Sequence, residues 1–381
     1  MTLVIEDTAR NTLVAWTIRA AERGTATGAV ISPFTTPVAD GPKPSAHEAV
    51  QRLQNEAVEV WLDPETHALQ MPSVGDFRYY DDWPLWGGHR GALSTAAEMR
   101  DHVERVFTQQ DQLGVPHLAP TILGHSPQSQ ESQAALELAQ IANDLDPEAR
   151  LAIVGDSAFW ASGVNLDAHI GALAQLEPPS WSLTVVRSLT VLPVPAMVEE
   201  VHGLCRTARA LSEDADVHIS HGDLAGLPAV AAGATTLGTG WDPRQKVAAY
   251  SSYEVRPTGG GGGGAWFEQA TYEGLLSLLT RNEATLLDQQ DNALSTRLLP
   301  GALLPGPREK FLHHTDVLAR IVGDLTAADY PAAYANLLTR YTSAAADWPR
   351  VAGVLGIASR GTHWLSGPTD GLFHYGLTEG F

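Results

Sequence analysis

Polar residues that can carry acid/base chemistry stand at the ends of short, β-branched runs. In residues 216–246 (DVHISHGDLAGLPAVAAGATTLGTGWDPRQK) one such run ends at His221-Gly222-Asp223. His221 and Asp223 lie two residues apart, so in an extended segment their side chains would point the same way. A carboxylate beside an imidazole raises its basicity and fixes its tautomer. We therefore predict that His221 is a catalytic base oriented by Asp223. The alternative is that Asp223 caps a helix starting near Leu224 and that His221 is a loop residue.

The ends of the other runs offer further polar residues of the same kinds. We predict Asp156 as a second catalytic acid/base group and Arg187 as the anchor for an anionic substrate group. The other predicted substrate-binding residues of this set are Asp63, His125, Asp242 and Arg244, and Ser32 holds an equivalent position. For Asp63, Asp156 and Asp242 the alternative role is a helix N-cap.

The elements that would position these residues alternate between strands and helices. Strands are predicted near residues 30, 60, 120, 152, 184, 218 and 237, and the eighth is either residues 247–255 (VAAYSSYEV) or a segment that the pattern does not reveal. Short β-branched strands separated by helices are typical of a parallel sheet covered on both faces. We predict an α/β fold, a (β/α)8 TIM-like barrel, whose polar residues meet at the carboxyl ends of the strands. No GxGxxG motif follows the first predicted strand and the chain has no GxxxxGK[ST] motif, which disfavours the runner-up, an open nucleotide-binding sheet.

The rest of the chain divides around this barrel. Residues 1–257 are predicted to form the barrel, with an aromatic insertion at residues 69–91. Residues 258–264 are a glycine-rich linker or loop, and residues 265–381 form a helical extension. Within the insertion, Tyr79 and Trp83 are predicted to stack on a sugar or a base. The alternative is that the insertion's tryptophans pin this loop to the barrel rim.

Composition limits the classes of partner. The chain of 381 residues has 24 Lys and Arg against 44 Asp and Glu, a net charge of −20. Such a surface repels nucleic acid and anionic membranes, so we expect a small-molecule substrate, no nucleic acid and no membrane. The single cysteine, Cys205, excludes a disulfide framework. Without a signal-like or membrane-spanning segment, a cytoplasmic protein is expected. We predict no cofactor, disfavour a divalent metal, and leave a homo-oligomer open.

Two resemblances extend this interpretation. The order strand, (S/H)G-x, helix, GA, strand, x-G-x-G resembles the seventh and eighth βα units of the phosphate-binding (β/α)8 barrels. It implies that Gly222, Gly238 and Gly240 help to hold a phosphate. Residues 193–244 are also similar to the second half of the queuine tRNA-ribosyltransferase barrel. That likeness matches Asp242 and Arg244 to the family's late Asp and Arg, although the family's four zinc ligands are absent.

These observations predict an enzyme that acts on a small polar metabolite, phosphorylated or glycosylated, by acid/base chemistry. Hydrolysis, lyase chemistry and glycosyl transfer remain open, and the second resemblance implies N-glycosyl base exchange without zinc. A non-catalytic ligand-binding or assembly scaffold is the third alternative. Replacing Asp223 with Asn is expected to abolish activity with little loss of fold.

Overall fold

A computed structural model describes residues 3–9, 13–39, 41, 44–70, 74, 79–253, 269–299, 301, 303–356 and 360–381. The predicted glycine-rich segment 258–264, and with it the last residues of the predicted barrel domain, lies outside the described residues. Parts of the aromatic insertion, including Phe77, also lie outside them.

Eight parallel strands form the core of the structure. They are β1 (Leu3–Ile5), β2 (Ala26–Ile31), β3 (Glu59–Leu62), β4 (Leu123–Gly124), β5 (Leu151–Asp156), β6 (Ser180–Arg187), β7 (Asp216–Ser220) and β8 (Thr236–Thr239). Their hydrogen-bonded order is β3-β2-β1-β8-β7-β6-β5-β4, so the first strand pairs with the last. That order is the one of a (β/α)8 barrel. The predicted fold class, an α/β barrel with a C-terminal helical extension, is therefore confirmed.

Helices cover the outside of the sheet between successive strands. They are α1 (Leu13–Glu22), α2 (Ala46–Gln54), α3 (Ala96–Leu113), α4 (Gln130–Leu145), α5 (Ser157–Trp160), α6 (Val164–Ala174), α7 (Val198–Leu211) and α8 (Leu227–Ala231). Their buried faces carry the regular apolar spacing of amphipathic helices, for example Val103, Val106 and Phe107 in α3. This spacing lets each helix bury one stripe against the strands and keep the other in water.

A glutamine side chain joins the two ends of the strand path. From α3, Gln110 donates through Nε2 to the carbonyls of Leu62 and Leu118, each at 2.9 Å, and its Oε1 accepts from the N–H of Leu118 at 3.2 Å. Leu62 ends β3, and Leu118 pairs with Arg150 at the start of β5. Strands β3 and β4 are the two ends of the strand order and do not pair with each other, so the buried amide of Gln110 supplies hydrogen bonds between their two sides.

The C-terminal part packs on one side of the barrel. After the short helix α9 (Pro243–Lys246), strand β9 (Ala248–Ala249) extends the end of β6. A hairpin, β10 (Ala270–Tyr272) and β11 (Ser277–Leu279), leads into helices α10 (Arg281–Gln290), α11 (Asn292–Leu298), α12 (Pro307–Thr326), α13 (Tyr330–Leu355) and α14 (Arg360–Glu379). Helices α12 and α13 contact α8, and α14 lies along α7. The extension therefore covers the β6–β8 side of the barrel.

The eighth strand of the ring is β1, at Leu3–Ile5, a segment that the sequence pattern did not single out. Residues 247–253, which belong to the other possibility for this strand, contain only the two-residue strand β9. The physical reason is length, because three residues are too few to show a periodicity. This difference matters, since β1 delivers the residue on which the candidate site is built.

Candidate functional site

A buried carboxylate, Glu6, stands at the carboxyl end of β1 and faces His221 at the end of β7. Glu6 is 1% exposed. Its Oε1 accepts from the N–H of His221 at 3.0 Å and lies 3.3 Å from Nε2 of His218, while Oε2 lies 4.0 Å from Nε2 of His221. Gly238 makes this approach feasible, because a Cβ at that position would collide with Glu6 Oε1.

Gln245 holds the backbone around Glu6. Its Nε2 donates to the carbonyl of Glu6 at 2.5 Å, and its Oε1 accepts from the N–H groups of Trp241 and Asp242, both at 2.8 Å. Gly240 leaves room for this side chain, since a Cβ there would collide with Gln245. One buried amide therefore ties the end of β1 to the loop after β8.

The hydrogen bonds of His221 define which of its ring nitrogens can exchange a proton. Nδ1 lies 3.2 Å from the carbonyl oxygen of Gln245. A carbonyl only accepts, so Nδ1 carries a hydrogen and Nε2, on the side of Glu6, is the atom that gains or loses a proton.

Two more acidic side chains reach the same place from the end of β3. Asp63 follows β3 directly, and its Oδ1 accepts from the N–H of Glu65 at 2.7 Å. Glu65 has φ 48°, a conformation that costs energy for a non-glycine residue. Its carboxylate accepts from Ser32 Oγ at 2.6 Å and from Tyr253 Oη at 3.4 Å. Asp7, which accepts from Thr35 Oγ1, is the fourth acid. We call Glu6, Asp7, Asp63, Glu65 and His221 the mouth cluster.

Within the mouth cluster the pKa values are pushed apart. Burial raises the pKa of Asp63 to about 6, and the charge of Glu6 adds to this. Burial, with the charges of Asp63 and Asp7, raises the pKa of Glu65 well above its ordinary value. Burial also acts to raise the pKa of Glu6, but the charge of His221 and the hydrogen bond from His218 outweigh it, so this pKa is lowered. The site thus combines Glu6, which stays ionised, with Asp63 and Glu65, which keep their protons to a higher pH than ordinary carboxyl groups do.

Neutral and aromatic groups form the wall beside Glu65. Burial lowers the pKa of His67 to about 3, so this imidazole stays neutral, and its Nε2 has no partner among the described residues. Tyr253 is buried, with its ring 6.1 Å from that of His67 and 5.3 Å from that of Phe34. Burial and the nearby carboxylates raise the pKa of Tyr253 well above its ordinary value. This wall therefore offers hydrogen bonds but no positive charge.

The predicted pairing of His221 with Asp223 is wrong. His221 and Asp223 have φ values of 51° and 43°, and a 3-10 turn begins at Asp223, so the segment is not extended and the two side chains diverge. Asp223 instead contacts Nε2 of His314 at 2.9 Å, Nζ of Lys246 at 3.4 Å and Oγ1 of Thr239 at 2.5 Å. We call Asp223, Lys246 and His314 the junction cluster, because it joins the barrel to α12.

Charges in the junction cluster compensate one another. Burial acts to raise the pKa of Asp223, but Lys246 and His314 outweigh it, and this pKa lies well below its ordinary value. Burial lowers the pKa of Lys246 against the attraction of Asp223. Burial and the charge of Lys246 lower the pKa of His314. An ionised Asp223 and Lys246 with a neutral His314 satisfy the charge balance of this buried pocket.

Asp156 and His125 meet each other at another part of the rim. Nδ1 of His125 lies 2.6 Å from Asp156 Oδ2, and Tyr250 Oη donates to the same oxygen at 3.4 Å. The other oxygen of Asp156 accepts from the N–H groups of Ala158 and Phe159, both at 3.0 Å, so Asp156 is also the N-cap of α5. The described contacts do not bring this pair to Glu6, and its predicted role in binding or catalysis stays a prediction.

The remaining predicted charged residues have structural partners. Arg187, at the end of β6, is buried and donates to Glu200 of α7, with Nε at 2.9 Å from Oε1. The carboxylate of Glu200 already neutralises the charge of Arg187, which disfavours the predicted anchoring of an anionic substrate. Asp242 caps α9 and forms a capping box with Gln245, and the backbone N–H of Arg244 donates to Asp242 at 2.9 Å.

In the aromatic insertion, Trp83 is buried and donates through its indole N–H to the carbonyl of Thr36 at 3.0 Å. This hydrogen bond ties the insertion to the loop after β2, in line with the alternative that the insertion's tryptophans pin it to the barrel rim. Tyr79 precedes a 3-10 turn, Tyr80–Asp82. Gly222 packs against apolar atoms, because a Cβ there would meet Leu237 at 2.6 Å and Ile219 at 2.8 Å. Close packing of this kind gives Gly222 a structural role.

Sequence reasoning missed Glu6, Glu65 and Tyr253. The signal for Glu6 is the run Leu3-Val4-Ile5 followed by two acids, which repeats the pattern of a strand ending on a polar residue. Glu65 lies three residues beyond β3, and Tyr253 reaches the site only because β9 pairs with the end of β6. Neither position has a local pattern that points to the barrel mouth.

The described residues contain neither a candidate metal site nor a candidate membrane-spanning helix. No group of three or more His, Cys, Asp or Glu side chains in them could hold a metal ion. Within the same ranges, every helix is too short or too polar to cross a membrane.

Comparisons with known proteins give little beyond this geometry. No protein-family model matches the chain, and no curated protein matches its sequence. Among solved structures the chain is similar to the Thermobacillus composti GH10 xylanase, with 11% identity and a TM-score of 0.33. The match covers 57% of this chain and 66% of the xylanase chain. The barrel architecture therefore stands on the strand pairing itself.

Proposed function

We propose that the chain is an enzyme that cleaves or transfers a glycosidic bond of a small polar molecule by acid/base chemistry at the mouth cluster. The observation that carries this proposal is the set of acidic groups with opposed pKa shifts around His221. Pairs of titratable groups whose pKa values are pushed apart are typical of acid/base catalysis.

The charge of the mouth supports glycosyl chemistry over phosphate chemistry. Glu6 and Asp63 lie near His221, Asp7 and Glu65 add two more carboxyl groups beside them, and Arg187 is already paired with Glu200. Negative charge in a site stabilises the positive charge that develops on a sugar ring in an oxocarbenium-like transition state, and it repels a phosphate. The phosphate grip implied by Gly222, Gly238 and Gly240 has less support, because Glu6 and Gln245 take the space beside two of these glycines.

We assign proton transfer to Asp63. Its pKa of about 6 lies near neutrality, where a general acid works best, and its Oδ1 is held by the N–H of Glu65. Glu6 is the fixed anion that stabilises positive charge. His221 exchanges a proton at Nε2, and Glu65 serves as a neutral hydrogen-bonding group held by Ser32 and Tyr253.

The test is hydrolysis of a panel of 4-nitrophenyl and methyl glycosides and nucleosides. 4-Nitrophenolate leaves without protonation, whereas methanol does not. Asp63→Asn should therefore lower kcat on a methyl glycoside about 10²- to 10⁴-fold and spare the 4-nitrophenyl analogue. Glu6→Gln should lower kcat on both. Glu104→Gln, which removes an exposed ion pair with Arg100, is the matched control and should change neither.

The pH dependence gives a second readout. Because the protonated form of Asp63 is the active one, kcat on a methyl glycoside should fall as pH rises through about 6. Turnover of no member of the panel, or equal turnover by wild type, Asp63→Asn and Glu6→Gln, would contradict the proposal.

A further inference from the structure

The interior of the barrel is polar at its amino-terminal end. Ser182, His218 and Thr236 stand in register on β6, β7 and β8, so their side chains share one row. In most barrels such rows hold branched apolar side chains that fill the interior. Here small and polar side chains leave a cavity of about 140 Å³ among the starts of the strands.

Three buried donors on the wall of this cavity have no partner among the described residues. They are the indole Nε1 of Trp61, the Nη1 of Arg150 and the Oγ of Ser180. Trp61 is only 6% exposed. A buried polar group without a partner destabilises the fold, so three around one space point to an occupant with lone pairs.

The charges at the rim limit what that occupant can be. Arg150 pairs through Nη2 with Glu59 and lies over the ring of Trp61, with Cζ 4.3 Å from its centroid. Asp216, at the start of β7, adds a second carboxylate. The lining therefore carries one arginine and two carboxylates, in a chain of net charge −20. This balance disfavours phosphate and carboxylates.

We propose that this cavity binds a small neutral carboxamide. Its carbonyl oxygen would accept from Trp61, Arg150 or Ser180, and its NH₂ group would donate to Ser182 or Asp216. A cavity of about 150 Å³ holds a six-carbon ring, so a compound of five or six non-hydrogen atoms has the right size. The ring of Trp61, which packs against His218, supplies an apolar wall for its aliphatic part.

The cavity is separate from the mouth cluster but connected to it. His218 lines the cavity, and its Nε2 lies 3.3 Å from Oε1 of Glu6. Binding in the cavity is nevertheless measured without any substrate of the mouth. Failure of the proposed function and failure of this inference are therefore distinguishable.

The experiment uses isobutyramide as the probe and the full chain. Ligand-observed NMR should give saturable binding with Kd in the millimolar range, as expected for six atoms. A crystal structure with the probe should place its oxygen near Trp61 Nε1. Isobutyrate, which has the same shape, and isobutylammonium, which keeps the branched chain, should bind at least about tenfold more weakly, because the first is repelled and the second offers no acceptor.

Variants assign the binding to the cavity. Trp61→Phe keeps a ring but removes the N–H and should weaken isobutyramide about three- to tenfold. Ser182→Leu should fill the cavity, abolish binding and leave the protein folded. Trp86→Phe is the matched control, since that indole already donates to Tyr80 Oη at 3.4 Å, and it should bind as wild type does. No saturable binding, equal binding of isobutyrate, or unchanged Kd in Trp61→Phe and Ser182→Leu would each overturn the proposal.

Discussion

His221 and Asp223 flank one glycine and end in two buried clusters with opposite electrostatics. At the junction, Asp223 faces Lys246 and His314, and its pKa is lowered. At the mouth, Asp63 and Glu65 face other carboxyl groups, and their pKa values are raised. The junction is a compensated structural pair, whereas the mouth holds charge that works against folding. The mouth cluster lowers the stability of the fold and the neighbouring junction cluster does not. Such a local loss of stability is typical of functional sites.

The largest expected effect lies at the junction. Asp223→Asn leaves the buried ammonium of Lys246 without a counter-ion and should lower the free energy of unfolding by about 3–5 kcal/mol in a urea titration. Adding Lys246→Met should restore most of that loss, because no buried charge remains. The sequence suggested that Asp223→Asn would keep the fold, and the structure reverses that expectation. A variant as stable as wild type would remove the distinction between the clusters.

At the mouth cluster, removing a carboxyl group should instead raise the free energy of unfolding. Asp63 binds its proton more tightly in the folded state, since its pKa rises from 3.8 to about 6. Between these two pKa values the unfolded chain loses the proton first, so wild-type stability falls as pH rises, and the deficit stays constant above about 6. Asp63→Asn should therefore gain about 0.5 kcal/mol at pH 4 and at most about 3 kcal/mol at pH 7.5. Thermal unfolding at both pH values measures this, and a gain that does not grow with pH would argue against a raised pKa.

Replacing Gly238 tests whether the missing side chain at this position is what allows Glu6 to approach His221. Gly238→Ala places a Cβ against Glu6 Oε1 and should cost about 1–3 kcal/mol of stability through overpacking. It should also raise the pKa of Glu6 by separating it from His221. Gly171→Ala in α6, where nothing lies within 4 Å of the new Cβ, is the control and should stabilise by about 0.5–1 kcal/mol. Equal effects of the two changes would show that Gly238 does not position Glu6.

The smallest effect concerns Asp156, which combines a cap with a contact to His125. Asp156→Ala should cost about 1 kcal/mol, because two N–H groups at the start of α5 lose their acceptor. Asp156→Asn keeps a side-chain oxygen and should stay within about 0.5 kcal/mol of wild type. Comparing urea unfolding of the two variants separates capping from charge. If both variants lose the same amount, the charge contact with His125 accounts for the role of Asp156 in stability.

The fold could be predicted because the evidence for it is repeated. Seven strands, each followed by a turn and a helical segment, indicate a parallel sheet covered by helices. The eighth strand was missed because β1 has three residues. Strand order follows from this alternation, but the β3–β4 side depends on Gln110, whose role no sequence pattern reveals.

The candidate site was only partly predictable for a different reason. Positions at strand ends correctly placed Asp63 and His221 at the mouth, since parallel strands end on one side. Which partners these residues have depends on side-chain direction and backbone angles. The positive φ values of His221 and Asp223 broke the extended-chain argument, and Glu6 was lost together with β1.

The proposed chemistry depends most on a carboxyl group at the mouth that keeps its proton near neutrality. Labelling the protein with ¹³C at aspartate Cγ and following the carboxyl resonances through a pH titration measures this directly. One resonance should titrate with a pKa of about 6 and be missing in Asp63→Asn. If every aspartate resonance instead titrates below about 5, as in ordinary solvated carboxyl groups, the mouth cluster holds no such acid and the proposed chemistry fails.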